Sequence, residues 1–213
     1  MSGMAHDADP NRDRLLERAI WLSVVSVAWG LAAGALSVVA GIEAGSLGVF
    51  GLGLNILADV TGSTALIWRF RVEKKVSTRA ERAEASASIV VGTALSVVGI
   101  TLSVAAISEL SSGSSPDKSL LALIAAGISA VVLAPLGWTK QNTGRKLGSH
   151  ALKGDGTLSI IGSALGVTAA LGLLANDFLG WWWADRCAAI GISVVAGVEA
   201  IRVVRNRPHF ENG

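Results

Sequence analysis

Tyrosine is absent from the 213 residues, cysteine occurs once and proline four times, and only 16 % of positions are charged, against roughly 25 % in ordinary globular chains. Each shortage excludes something. The single Cys187 has no partner for a disulfide and no second thiol for a metal site, so it reads as a small packing residue. Scarce charge, 51 % hydrophobic residues and a mean hydropathy of +0.55 exclude a soluble enzyme, a nucleic-acid binder and a disordered regulator. There is also no HExxH, no phosphate-binding glycine loop followed by Lys and Ser or Thr, and no nucleophile–base pair. No organic cofactor and no enzymatic activity are therefore expected.

What is present is long apolar sequence. Uncharged windows run over 19–42, 85–108, 119–139 and 156–176, a fifth apolar stretch over 44–68 is broken only by Asp59, and a sixth over 187–201 is broken only by Glu199. A stretch of about 18 or more apolar residues marks a candidate membrane span. The pattern predicts an all-α integral membrane protein of six spans, at about 19–42, 46–68, 85–108, 119–138, 154–176 and 182–203, with polar tails at 1–18 and 204–213.

Sorting the basic residues by the loops these spans define explains the pI near 9.0. Sixteen of eighteen fall on one side: Arg12, Arg14 and Arg18; Arg69, Arg71, Lys74, Lys75, Arg79 and Arg82; Lys140, Arg145, Lys146 and Lys153; Arg202, Arg205 and Arg207. The positive-inside rule then puts both termini in the cytoplasm. Trp68 and Trp138 are expected at the inner interface and Trp181, Trp182 and Trp183 at the outer one. Residues 1–11 lack the basic and apolar regions of a signal peptide, and a bacterial inner membrane suits such a chain. The basic loop 69–84 either sets topology or attracts anionic lipid. Pro135 is expected to kink or end the fourth span. Gly30 and Gly34, and Gly162 and Gly166, offer small-residue faces for close helix packing.

Ionisable groups within a span cost about 2.5–3.5 kcal/mol at its centre, so they carry most of the functional information. Asp59 lies mid-span with Asn55 four residues earlier, which places both oxygens on one helix face. Together they offer two hard ligands to a divalent cation; the alternative is an interhelical hydrogen-bond pair. Asp155 opens the fifth span on the cytoplasmic side, either with a functional role or as a favourable charge in a first helical turn. Glu199 is either a further cation ligand or the i, i+3 partner of Arg202. His150 reads as a solvated loop residue.

These residues resemble the cation diffusion facilitator, or cation efflux, family. Gly45-Ser46-Leu47-Gly48-Val49-Phe50 followed by Leu54-Asn55-Ile56-Leu57-Ala58-Asp59 is similar to the family's second-span stretch, with Asn55 and Asp59 on metal-binding positions. Arg82-Ala83-Glu84-Ala85, Ser149-His150-Ala151-Leu152-Lys153-Gly154-Asp155 and Gly180-Trp181-Trp182-Trp183-Ala184-Asp185 match the starts of spans three, five and six. The pattern departs where transporting members carry HxxxD in span five, because Leu158 and Gly162 stand there. Only 12 residues follow Ile201, so no C-terminal cytoplasmic domain is expected, and a short tail-less branch is the nearest resemblance.

The resemblance implies a six-helix bundle working as a homodimer. It implies efflux of a divalent cation, zinc or a similar metal, in exchange for protons. Asp59 would be the central carboxylate, Asn55 a neutral co-ligand, Asp155 at the entrance and Glu199 a weaker fourth candidate. The alternative is a non-transporting relative whose degenerate site leaves the fold to act as a structural or partner-binding module. No nucleic acid is expected as a partner; cation, protons and membrane lipid are.

Overall fold

The computed structural model describes residues 10–75, 80–112, 119–181 and scattered positions between 190 and 205. Five helices make up the described chain: α1 Pro10–Ala44, α2 Leu47–Lys75, α3 Ala80–Ser112, α4 Leu120–Leu147 and α5 His150–Leu179. Each is long and apolar enough to cross a membrane. At 1.5 Å per residue they exceed the roughly 30 Å of a hydrocarbon core, so charged turns extend past the apolar segments. The expected sixth span lies mostly outside the described residues, as do Glu199, Cys187, Trp182 and Trp183.

Two tight turns pair the helices. Gly45 (φ 58°) ends α1, and Ser46 accepts a hydrogen bond from the Val49 amide at 3.3 Å to start α2. Gly148 (φ 68°) closes α4 by donating its N–H back to that helix, and Ser149 caps α5 by accepting from the Leu152 amide at 3.1 Å. These are the left-handed glycine stop and serine start that short helix connections favour. Consecutive helices joined this closely must run antiparallel, so α1 pairs with α2 and α4 with α5. α2 also packs on α3 and α5, and α1 on α4, which leaves α2 and α5 at the centre.

One apolar cluster, with Leu52, Ile56, Leu133, Leu158 and Leu165 buried, fills the bundle's middle and one end. A second, with Leu16, Leu66, Phe70 and Leu152, fills the end where α2 finishes and α5 begins. α4 and α5 come close at Gly137 and Gly156, where a Cβ on either would sit 2.7–2.8 Å from the other's carbonyl oxygen. Outside, the bundle is apolar: Leu31, Val104, Val131 and Leu171 are more than half exposed, a surface suited to lipid. Trp68 and Trp138 are likewise more than half exposed.

Three sequence expectations change. α4 does not end at Pro135 but continues to Leu147, with Thr139 Oγ1 donating to the Pro135 carbonyl at 2.7 Å. Lys140, expected in the loop after the fourth span, is therefore inside a helix and wholly buried. α5 begins at His150, so Asp155 lies beyond the first turn and is also wholly buried. In each case the helix extends through polar residues because their partners lie within the bundle.

Candidate functional site

Helical spacing builds the site from α2 and α5. Asn55, Asp59 and Ser63 follow at four-residue intervals on α2, and Asp155, Ser159 and Ser163 do the same on α5. Each series forms one polar stripe, and all six residues are buried. The stripes face each other in antiparallel register. Ser159 Oγ donates to Asp59 Oδ1 at 2.8 Å, and Ser63 Oγ donates to Asp155 Oδ2 at 2.9 Å.

Lys140 enters this space from α4. Its Nζ lies 2.9 and 3.2 Å from the two Asp59 carboxylate oxygens, 2.8 Å from Asp155 Oδ2, and 3.1 Å from each of Ser63 Oγ and Ser159 Oγ. The ammonium thus donates to hydroxyls that themselves donate to the two carboxylates, and the ring of hydrogen bonds closes around it. Every member is an oxygen except the central nitrogen. Asp155 Oδ1 points instead at the bare α-carbon of Gly62, where a Cβ would lie 2.6 Å away, and has no hydrogen-bond partner among the described residues.

Asn55 joins the stripe but makes a different contact. Its Nδ2 donates to the Leu158 carbonyl at 3.0 Å, and its Oδ1 is without a hydrogen-bond partner among the described residues. Gly162 makes room for it, since a Cβ there would lie 2.5 Å from Nδ2. Leu158 and Gly162 thus offer a backbone carbonyl and a gap. The polar centre sits about one turn nearer the start of α5, on Asp155 and Ser159.

A second ionic cluster lies at the end of the bundle marked by Phe70 and Ser149. Arg69 pairs with Glu84 of α3 at 2.6 Å and with Glu73 of its own helix at 2.9 Å. Arg12 of α1 pairs with Glu73. The Arg69 guanidinium also stands 4.3 Å from the Phe70 ring centroid, within cation–π range. Glu84 accepts from Ser149 Oγ at 2.9 Å and from the Ala151 amide at 2.7 Å, so a carboxylate rests on the α5 N-terminus, where the helix dipole favours it.

Of the expected cation ligands, Asp59 and Asp155 share one lysine, Asn55 lies on the same stripe, and Glu199 lies outside the described residues. No group of three or more His, Cys, Asp or Glu suited to a metal ion occurs among the described residues. A tetrahedral zinc site, which normally takes nitrogen or sulfur ligands, does not match this oxygen-only set. Lys140, Ser63 and Ser159 went unnoticed in the sequence. Their signal was the four-residue spacing from each Asp, and the position of Lys140 one residue past an uncharged window.

The family model of the cation efflux transmembrane domain matches residues 22–207, which takes in α1 from residue 22 onward, all of α2 to α5, and the polar site.

Proposed function

The chain belongs to the cation efflux family, a family of metal cation transporters in the membrane, and on that premise we propose that it carries a divalent cation across the membrane in exchange for protons, with Asp59 and Asp155 as the carboxylates that receive it. The observation carrying this reading is a charge count. Among the described residues, two buried carboxylates share one buried ammonium, which leaves one negative charge in excess when all three are ionised. Uncompensated charge costs several kcal/mol per ion in such surroundings, so the site requires a further proton or cation.

The ligand set narrows the cation. Carboxylate and hydroxyl oxygens suit hard ions such as manganese or magnesium better than thiophilic ones. Asn55 Oδ1, without a hydrogen-bond partner among the described residues, supplies a neutral co-ligand on the same stripe, and Glu199 of the sixth span is a further candidate. The positive-inside pattern supports cytoplasmic termini, the family resemblance supports a homodimer, and the short loops suit a bacterial inner membrane.

A second reading has its own support. Lys140 already fills the oxygen cage, and a permanently filled cage describes a non-transporting relative. Thermal stability of the detergent-purified protein separates the two. With manganese at 100 times its dissociation constant, stability should rise by about 2.7 kcal/mol, and Asp59→Asn should abolish the rise. No shift with manganese, magnesium, zinc, cobalt or cadmium at millimolar concentration favours the non-transporting reading.

A further inference from the structure

We propose that Lys140 is a tethered pseudo-substrate: its ammonium holds the cation's place between Asp59 and Asp155 and so sets the charge selectivity of the site. The inference rests on the carboxylate reading above and adds a residue and a rule to it.

The geometry points to a substitute ion rather than a simple salt bridge. The Nζ atom has five oxygens from four residues within 2.8–3.2 Å, on two helices other than its own. An ordinary buried pair would need one carboxylate. Here two carboxylates and two hydroxyls converge on one point, as the ligands of a small hard cation do. The lysine stem comes from α4, and its helix neighbours Gly137 and Gly144 bring α4 against α5 closely enough for the head to reach that point.

Selectivity follows from competition. A tethered ammonium acts at an effective concentration of about the millimolar range or higher, always within reach of the cage. A free monovalent ion brings the same single charge without the tether, so it loses. A divalent ion interacts about twice as strongly with each carboxylate, and two carboxylates match its charge. Only the divalent ion therefore displaces the lysine head at ordinary concentrations.

Titration calorimetry on the purified full chain tests this with manganese and methylammonium as probes, comparing wild type, Lys140→Gln, Lys140→Arg and Asp59→Asn. Wild type is expected to bind manganese and to ignore methylammonium. Lys140→Gln should bind manganese at least tenfold more tightly and should gain methylammonium binding, whereas Lys140→Arg, which keeps a tethered cation, should retain the wild-type preference. A purely structural lysine would not change the preference between the probes. Manganese binding in wild type with unchanged affinity and preference in Lys140→Gln overturns the pseudo-substrate and leaves the carboxylate reading standing. Absence of manganese binding in both wild type and Lys140→Gln overturns the carboxylate reading, and the pseudo-substrate with it. Should Lys140→Gln not fold, methylammonium binding to wild type, or its acquisition by Lys140→Arg, contradicts the proposal.

Discussion

Two buried ionic clusters occur among the described residues, and they differ in charge balance. At the bundle end, Arg12 and Arg69 meet Glu73 and Glu84, two charges against two, with the α5 N-terminus adding further favourable field to Glu84. At the centre, Lys140 alone among the described residues faces Asp59 and Asp155. The end cluster is complete in itself and ties α1, α2, α3 and the start of α5 together. Among the described residues the centre has one carboxylate more than it has cations. On the proposed reading, balance marks a clamp and imbalance marks a site.

The contrast is sharpest at Lys140. Lys140→Met removes the only positive charge the centre has among the described residues, and the remaining carboxylates should lower stability by about 3–5 kcal/mol, seen as a fall in melting temperature that added manganese reverses. Arg69→Ala, which leaves two glutamates on a cluster nearer water, should cost less, about 1.5–3 kcal/mol for lost charge-assisted bonds, with no such reversal. Asp59→Asn balances the centre, since Lys140 and Asp155 remain as a pair. Its melting temperature should stay within a degree or two of wild type, at a cost of about 1 kcal/mol or less, while manganese stabilisation disappears. Arg12→Ala should have the smallest effect, about 0–1 kcal/mol, because the Arg12 side chain is 52 % exposed. If Arg69→Ala were rescued by manganese as fully as Lys140→Met, the distinction between clamp and site would fail.

Much of this was legible in the sequence, for identifiable reasons. Long uncharged windows marked the apolar helices because hydrocarbon admits few charges. Asp59 stood out because it broke one of those windows. Asp155 and Lys140 were harder, since each lies within a few residues of a window's end, where a charge reads as interfacial. The helices run past those ends: α4 continues to Leu147 and α5 begins at His150, so the same residues lie inside the bundle. Hydropathy locates apolar length but is blind to a polar turn that is buried by its neighbours. Arg69 shows the same effect, having read as a loop charge while α2 extends to Lys75. The pairing of Asp59 with Ser159 and of Ser63 with Asp155 depends on the antiparallel register of α2 and α5, which no local pattern specifies.

The central claim is that the unbalanced carboxylate pair carries a cation against protons. Proteoliposomes containing the full chain, with an imposed pH gradient, provide the most direct test when manganese movement is followed for wild type and Asp155→Asn together. The account predicts flux that follows the gradient in wild type and falls to the level of empty vesicles in the variant. Equal flux in both, or gradient-independent flux in wild type, would contradict it.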